Sequence, residues 1–280
     1  MVAAGFDEAV TFSFIDAEEA ALFGHDKTVR VDELVRKTNN SLRPTLLPSL
    51  LRACKTNQDA GNAGASLFEL AAVFPPSAGG GLPDEHVELG LATTGDLSDL
   101  RGALEAMVLR VVPAARLELH NRAWAGLADD ASAELVLDGR GVGAIGLISP
   151  RVQGYYGLEY AAAVARMRFD AMLAHAGRTR TYAPLPRFPA ARRDISFIVD
   201  EPVTWARLAG TIQAVEQPMR EGLEHVITYR GQPIPRGRKS VTVKLTYRSP
   251  EGTLRSEDVD EQVRRVIEAV KDKLSAEVRR

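Results

Sequence analysis

The sequence predicts an α+β protein of two domains, the second of which has the element order βαββαβ. The formal charge is −7 for residues 1–179 and +5 for residues 180–280, which indicates two parts with different partners. Pro184, Pro186 and Pro189 favour an extended connection between them. Residues 240–248 alternate strictly between apolar and polar side chains, as in a half-buried strand. We therefore expect domains at 1–180 and 181–280.

The first domain mixes strand-like and helical patterns, which favours a sheet with helices. Asp16 is a candidate N-cap for a short helix, and four leucines at 46–51 share one face of the next helix. An Asp138-Gly139 turn predicts a hairpin. Strands are expected at 6–14, 66–74, 87–93, 133–138, 142–148 and 164–170, and helices at 17–22, 44–56, 99–112 and 171–176.

The second domain shows its elements more clearly. Thr204 is a candidate N-cap for its first helix, and Ser256 is one for its second. Strands are expected at 194–199, 223–229, 240–248 and 276–280, and helices at 204–218 and 256–274. This is the split βαβ, or ferredoxin-like, order, in which both helices cover one face of the sheet. Related RNA-binding domains use the free face to contact unpaired bases.

Basic residues gather near this predicted sheet, in the loop 230–239, before the first strand and on the polar face of the third. Guanidinium groups suit phosphate and also stack on bases. Aromatic candidates for stacking are few: Tyr229, Tyr247 and Phe197. RNA binding and a merely solubilising surface both remain open from spacing alone. The candidate RNA-binding residues are Arg187, Arg192, Arg193, Tyr229, Arg230, Arg236, Arg238, Lys239, Lys244 and Arg248.

Other functional classes find little support. The five histidines and the single cysteine, Cys54, lack metal-ligand spacing, and one cysteine excludes an internal disulfide. The match to GxGxxG at 141–146 is followed by Leu-Ile-Ser-Pro, which favours a hairpin over a dinucleotide site. No apolar run approaches the ~18 residues of a membrane span. We expect no catalytic residues, no metal site and no membrane association, in a cytoplasmic protein.

The C-terminal residues closely resemble the ferredoxin-fold anticodon-binding domain of the phenylalanyl-tRNA synthetase β-subunit family. Phe188-Pro189 is followed by Arg193-Asp194 and an apolar strand, as in that domain. Further segments follow in the family's order: Tyr229-Arg-Gly, Gly237-Arg-Lys-Ser-Val, Leu245-Thr-Tyr-Arg, Gly252-Thr-Leu-Arg-Ser-Glu-Asp-Val and Ala276-Glu-Val-Arg.

The N-terminal residues resemble the catalytic-like core of the same subunit. The segments that carry this resemblance are Gly5-Phe-Asp-Glu-Ala-Val-Thr-Phe-Ser-Phe, Asn40-Ser-Leu-Arg-Pro-Thr-Leu-Leu-Pro-Ser-Leu-Leu, Leu67-Phe-Glu-Leu-Ala-Ala-Val-Phe, Leu100-Arg-Gly-Ala-Leu-Glu and Ile145-Gly-Leu-Ile-Ser-Pro. The sequence departs from the family where Ile227-Thr-Tyr229 replaces its Asp-Val-Tyr.

The resemblance implies a class II synthetase-like antiparallel sheet with helices in the first domain, without the arginines that grip ATP. It implies pairing with an α subunit that carries the active site and uses ATP and magnesium, within a heterotetramer. It also implies binding of tRNA(Phe) by the second domain. No cofactor is expected in this chain, which begins directly on the first core strand, as an excised piece of a longer chain would.

Two hypotheses therefore stand after the sequence. The first is a non-catalytic C-terminal fragment of a phenylalanine–tRNA ligase β subunit, inactive alone, that supports aminoacylation by assembly and anticodon binding. The alternative is a stand-alone protein-interaction module that has kept the fold without RNA binding.

Overall fold

The computed structural model describes residues 1–32, 34–62, 64–77, 79–113, 115–174, 176 and 184–279. The chain divides into two units, Met1–Arg180 and Thr181–Arg280. The connection predicted between the domains falls largely at 177–183, outside the described residues. Within the described ranges, no helix is both long enough and apolar enough to cross a bilayer.

Unit 1 consists of a large sheet with helices on both of its faces. Its elements, after a short 3-10 turn at Val2–Ala4, are β1 (Asp7–Glu8), β2 (Phe14–Ile15), α1 (Ala17–Leu22), β3 (Ser41–Leu42), α2 (Leu47–Asp59), β4 (Ser66–Val73), β5 (His86–Thr93), α3 (Leu97–Val111), β6 (Leu117–Asn121), β7 (Leu127–Leu137), β8 (Arg140–Ile148), α4 (Pro150–Tyr156), β9 (Ala163–Arg168) and α5 (Phe169–Leu173).

The main sheet of unit 1 has seven strands in the order β1-β4-β5-β9-β8-β7-β6. Strand β1 runs parallel to β4, and every other neighbouring pair is antiparallel. Strands β2 and β3 form a separate two-stranded sheet. The predicted α+β class with an antiparallel sheet is therefore confirmed.

Two hydrophobic cores lie on opposite faces of this sheet. On one face, Leu46, Leu50 and Leu51 around helix α2 pack with Val164 of the central strand β9. On the other face, the side of helix α3 that carries Leu100 packs against sheet residues whose side chains point away from α2. The four leucines at 46–51 are buried as their spacing predicted, because they form the inward face of α2 and the turn before it.

The sequence misplaced several boundaries in unit 1. The strand expected at 6–14 is interrupted, since β1 pairs with β4 whereas β2 turns away to pair with β3. Val10 and Phe12, between these strands, are highly exposed. Helix α2 begins at Leu47 rather than Pro44, and the backbone N–H of Leu46 just before it donates to the Glu88 carboxylate at 2.8 Å. Strand β6 was not predicted.

The glycine motif at 141–146 lies in a hairpin, as its context predicted. Strands β7 and β8 pair antiparallel around Asp138 and Gly139, whose φ angles are 47° and 79°. The glycines allow neighbouring strands to approach closely. A Cβ atom at Gly143 would lie 1.9 Å from the carbonyl oxygen of Arg166, and one at Gly146 would lie 2.6 Å from that of Ala131. Packing in the sheet therefore accounts for these glycines without a nucleotide.

Replacing Gly143 with alanine should destabilise unit 1. The added methyl group meets backbone rather than a flexible side chain, so strands β8 and β9 must separate, and we expect a loss of about 1–3 kcal/mol. Urea unfolding of G143A and of the parent protein measures this loss in the free energy of unfolding. The matched control is Gly102→Ala in helix α3, where a Cβ atom has open space and should add about 0.5–1 kcal/mol of stability. Equal stability of G143A and the parent protein would contradict the close approach of these strands.

Unit 2 has the six elements predicted for it. They are β10 (Ala191–Asp200), α6 (Trp205–Gln213), β11 (Arg220–Tyr229), β12 (Arg238–Tyr247), α7 (Ser256–Leu274) and β13 (Glu277–Arg279). The sheet has the order β11-β12-β10-β13 with every neighbouring pair antiparallel. This order confirms the predicted ferredoxin-like arrangement.

Of the two helix starts predicted for unit 2, the structure confirms one. Thr204 caps α6, and its hydroxyl oxygen accepts a hydrogen bond from the backbone N–H of Arg207 at 3.2 Å. Ser256 is the first residue of α7, whose N-cap position belongs to Arg255 and has no side-chain cap. The prediction that Ser256 caps this helix was therefore wrong.

Candidate nucleic-acid interface

The sheet of unit 2 has one buried face and one open face. The buried face carries Val241, Val243, Leu245 and Tyr247 of β12, all packed in one core with residues of helices α6 and α7. The alternation of β12 then places Thr242, Lys244 and Thr246 on the opposite face. The division of β12 into two faces is as the sequence predicted. We call the opposite face of the four-stranded sheet the free face.

Hydroxyl side chains, together with Ile198 of β10, form the middle of the free face. Ser196 of β10 lies directly opposite Thr242 of β12, and their hydroxyl oxygens are 2.8 Å apart. Ser240 and Thr246 occupy the same face of β12, two positions before and four positions after Thr242. Ser240 is almost fully buried, whereas Ser196, Thr242 and Thr246 are partly exposed. This floor therefore suits a flat ligand that reaches hydrogen-bonding groups.

Tyr229 is the aromatic residue of the predicted set that reaches the free face. It lies opposite Ser240 at the end of β11, its side chain is partly exposed, and its hydroxyl group donates to the carbonyl oxygen of Gln232 at 2.8 Å. The guanidinium carbon of Arg279 lies 5.7 Å from the centre of the Tyr229 ring. The sequence prediction missed Arg279, whose position opposite Ser196 is set by the pairing of β13 with β10.

The other two aromatic candidates belong to the core. Phe197 and Tyr247 are fully buried between the sheet and the helices. The Tyr247 hydroxyl group donates to Oε1 of Gln217 at 2.9 Å, and burial raises the pKa of Tyr247 to about 12. Neither ring is accessible to a base. Their expected role as stacking platforms is therefore wrong, because alternation turns both towards the helices.

Four of the predicted cations have no acidic partner in the part of the chain that the structure describes. Arg192 lies on the free face opposite Thr246, and Lys244 lies there between Asp194 and Glu224 of the neighbouring strands. Arg187 and Arg236 lie in exposed loops. Among the described residues, none of these four has an acidic partner within 4 Å. They are the predicted residues best able to meet a phosphate.

Two basic residues at the start of β12 hold the fold together. The Arg238 guanidinium group forms ion pairs with Asp200 at 3.3 Å and with Glu277, and it donates to the carbonyl oxygen of Ile198 at 3.0 Å. The Lys239 ammonium group donates to the carbonyl oxygen of Glu201 at 2.8 Å. Both side chains are mostly buried. Both cationic groups are therefore largely engaged by partners within the protein.

Arg193 and Arg248 are also occupied by internal partners. Arg193 points towards the helices and pairs with Asp260 of α7 at 2.9 Å. Arg248 donates to both carboxylate oxygens of Glu221 and to the carbonyl oxygen of Phe188 at 2.6 Å. These contacts fasten β10 to α7 and the entering chain to β12. The structure therefore gives both arginines a role in the architecture of the domain.

Arg230, in the basic loop, is exposed but paired. Its guanidinium group donates to the Glu201 carboxylate at 2.6 and 2.9 Å. These hydrogen bonds lower the pKa of Glu201 and raise the pKa of Arg230. The loop therefore presents Arg236 as its unpaired cation among the described residues. RNA binding by any of the ten residues stays a prediction.

A second polar cluster is partly buried within unit 1. Arg166 of β9 lies 5.2 Å from the centre of the Trp124 ring and 3.9 Å from the buried carboxylate of Glu88. The ring nitrogens His25 Nε2 and Trp124 Nε1 are buried without a hydrogen-bond partner among the described residues. Burial lowers the pKa of His25 to about 4, with Arg166 acting in the same direction and Asp26 opposing it.

Acid should destabilise unit 1 through His25. The unfolded chain binds the proton near the ordinary pKa of 6.5, whereas the folded protein resists it down to about 4, so stability is complete above 6.5 and falls between those values. We expect about 2 kcal/mol from this group, after allowance for its partial exposure. Urea unfolding at pH 7.5 and 4.5 measures the loss. It should shrink in H25Q and persist in H120Q, whose histidine is exposed. An unchanged loss in H25Q would contradict this assignment.

No group of three or more metal-ligating side chains occurs within the described ranges. Glu69 and Arg43 form a buried ion pair at 3.1 Å. The Thr11 hydroxyl group accepts a hydrogen bond from Arg43 and donates one to Glu69. These residues hydrogen-bond to one another and to the backbone, so they form a structural cluster. The free face of unit 2 is therefore the best candidate for a binding surface.

Comparison with protein families divides the chain in the same way. Residues 1–169 match the family model of the phenylalanyl tRNA synthetase beta chain CLM domain. Residues 186–279 match the family model of the ferredoxin-fold anticodon binding domain.

Curated relatives resemble the chain over nearly all of its length. The phenylalanine–tRNA ligase beta subunit of Symbiobacterium thermophilum is 31% identical over 300 residues, which cover 100% of this chain and 33% of the relative. That of Staphylococcus aureus strain Mu50 is 32% identical, covering 95% of this chain and 35% of the relative. That of Listeria monocytogenes serotype 4b is 27% identical, covering 99% of this chain and 36% of the relative. The chain thus spans about a third of the length of these relatives.

Proposed function

The chain belongs to the phenylalanyl-tRNA synthetase β-chain family, and we propose that it is a non-catalytic C-terminal part of a phenylalanine–tRNA ligase β subunit. In this role unit 2 binds the anticodon region of tRNA(Phe). Unit 1 pairs with the α subunit, which carries the active site and uses ATP and magnesium. The complete enzyme is a cytoplasmic heterotetramer, and this chain alone does not activate phenylalanine.

The open face of the four-stranded sheet is the observation that carries the RNA-binding part. Unpaired nucleotides need an accessible surface with stacking groups, hydrogen-bonding groups and positive charge. The free face offers Tyr229, hydroxyl groups, and the cations Arg192 and Lys244, which have no ion-pair partner among the described residues. The match of residues 186–279 to an anticodon-binding family supports the same use.

Exposed apolar side chains on unit 1 support a protein partner. Val10, Phe12, Leu34 and Val35 are 78–94% exposed. They lie in the two segments that precede the paired strands β2 and β3. Single exposed apolar residues are common, and it is the number in these two segments that supports a contact surface. We assign this surface to subunit pairing in the complete enzyme.

Titration of labelled tRNA(Phe) and of an anticodon-substituted tRNA(Phe) with this chain, at two salt concentrations, tests the RNA-binding role. We expect tighter binding of the natural anticodon and a decrease of affinity with salt of about 0.7 in the log–log slope for each phosphate contact. Equal affinity for both RNAs would remove anticodon recognition from the proposal. A flat salt response would remove the phosphate contacts as well.

The alternative function is a protein-interaction module without RNA binding, and the exposed apolar residues of unit 1 favour it equally. The same titration, together with the oligomeric state of the chain in solution, separates the two functions. A chain that forms a homodimer through Phe12 and its neighbours, and binds neither RNA, fits the interaction module. A chain that binds tRNA(Phe) while monomeric fits the proposed ligase subunit.

A further inference from the structure

We infer that Glu201 limits the affinity of this chain for RNA, because its carboxylate competes with the RNA backbone for the guanidinium group of Arg230. The inference rests on the proposed RNA-binding function and adds to it a residue that opposes binding. Glu201 lies in the turn that follows strand β10. The group that competes with its carboxylate is a phosphodiester.

Three acidic side chains lie at the end of the sheet where the basic loop joins β12, and we call them the acidic corner: Asp200, Glu201 and Glu277. Strand β10 ends at Asp200, which lies opposite Arg238 at the start of β12. Glu277 at the start of β13 forms an ion pair with Arg238 as well. The acidic corner therefore contacts the same cations that a phosphate near the loop would approach.

The acidic corner holds cations of two kinds. Arg238 and Lys239 are mostly buried and also donate to backbone carbonyl oxygens, so a phosphate could take them only by disturbing the fold. Arg230 is different, since its side chain is 59% exposed. Among the described residues, its guanidinium group donates to the Glu201 carboxylate, at 2.6 and 2.9 Å. Arg230 is therefore the paired cation of the loop that is free to change its partner.

The ion pair of Arg230 with Glu201 is of a kind that exchanges readily. The Glu201 side chain is 44% exposed, and pairs between exposed side chains are held weakly because water solvates both charges well. A phosphate offers a guanidinium group the same paired oxygen acceptors as a carboxylate. RNA can therefore replace Glu201, but it gains less than it would from an arginine without a counter-charge.

The position of Arg230 brings this exchange within reach of RNA. Arg230 directly follows Tyr229, which ends strand β11 and lies opposite Ser240 on the free face. A strand of RNA on the free face therefore passes close to the start of the basic loop. The nearby carboxylate of Glu201 also repels the phosphates of that strand.

The turn that carries Glu201 is held by its backbone. The N–H group of Glu201 donates to the carbonyl oxygen of Gly237 at 2.8 Å, and its carbonyl oxygen accepts a hydrogen bond from Lys239 at 2.8 Å. Neither contact involves the carboxylate. Glu201→Gln therefore removes the charge that holds Arg230 and leaves the turn in place.

Titration of labelled tRNA(Phe) with the full chain and with E201Q, at several salt concentrations, tests the inference. We expect E201Q to bind roughly two- to fivefold more tightly, because Arg230 no longer has to leave a carboxylate. The log–log salt slope should rise by about 0.7, the value of one added phosphate contact to a single strand. The double variant E201Q/R230A has the net charge of the parent chain and should lose both gains.

The matched control is E261Q, which makes the same change in net charge. It breaks the exposed pair of Glu261 with Arg265 on helix α7, on the covered side of the sheet, and should bind as the parent chain does. Unchanged or weaker binding by E201Q, an equal gain in E261Q, or a gain that persists in E201Q/R230A would overturn the inference while the RNA-binding function stands. Absence of binding by the parent chain and by E201Q would overturn both. Thermal unfolding of each variant checks that the fold is retained.

Discussion

Glu69→Ala should lower the free energy of unfolding of unit 1 by about 3–5 kcal/mol. Glu69 is buried, and its carboxylate accepts hydrogen bonds from Arg43 at 3.1 Å and from the Thr11 hydroxyl group at 2.5 Å. Its removal leaves the Arg43 guanidinium group without a counter-charge in a site where the side chain is 3% exposed. An unpaired buried charge is costly because water can no longer solvate it.

The two tryptophans make this loss measurable for each unit separately. Trp124 belongs to unit 1 and Trp205 to unit 2, so W205F leaves a fluorescence signal from unit 1 alone. The control is Glu105→Ala, which breaks an exposed pair with Arg101 and should cost about 0.5 kcal/mol or less. The double variant R43M/E69L removes both charges and should recover much of the loss. A small effect of E69A would show that water reaches this pair.

Phe197→Ala should destabilise unit 2 by about 3–5 kcal/mol. Phe197 is fully buried in the middle of the central strand β10 and contacts the core between the sheet and both helices. Deleting the ring leaves a cavity that a well-packed sheet closes only in part. Trp205 on helix α6 reports this unfolding in a W124F background.

Tyr229→Ala is the matched control, since it also removes an aromatic ring from this sheet. Tyr229 is 41% exposed on the free face, and we expect its loss to cost about 1 kcal/mol or less. The two variants should therefore separate a structural aromatic residue from a binding one. A stability loss in Y229A as large as that in F197A would contradict the assignment of Tyr229 to an open face.

The fold of unit 2 was predictable because strand alternation and most helix-capping signals in its sequence agree with one another. The strict alternation of β12 identified both faces, and the capping threonine at position 204 identified the start of α6. The start of α7 was harder, since Ser256 looks like a cap in the sequence but lies one residue inside the helix. Unit 1 was less predictable around β1 and β2. The switch between two sheets there depends on pairing with β4 and β3, which are distant in sequence.

The candidate site was only partly predictable, because the sequence does not show which basic side chains form ion pairs within the fold. Arg236 and Arg238 are two residues apart in the loop predicted at 230–239. Within the described ranges the first has no acidic partner, whereas the second is tied to Asp200 and Glu277. Acidic partners from other strands decide this difference. Arg279 was missed because a single arginine on a three-residue strand carries no signal until the sheet brings it to Tyr229.

Charge reversal on the two faces of unit 2 tests most directly whether the free face binds tRNA. Arg192→Glu changes the free face and Arg264→Glu changes helix α7, with the same change in net charge and an exposed starting residue in both. The account predicts that R192E lowers the affinity for tRNA(Phe) roughly tenfold or more and reduces the salt slope by about 0.7, whereas R264E leaves both nearly unchanged. Equal losses in the two variants, or a larger loss in R264E, would contradict it.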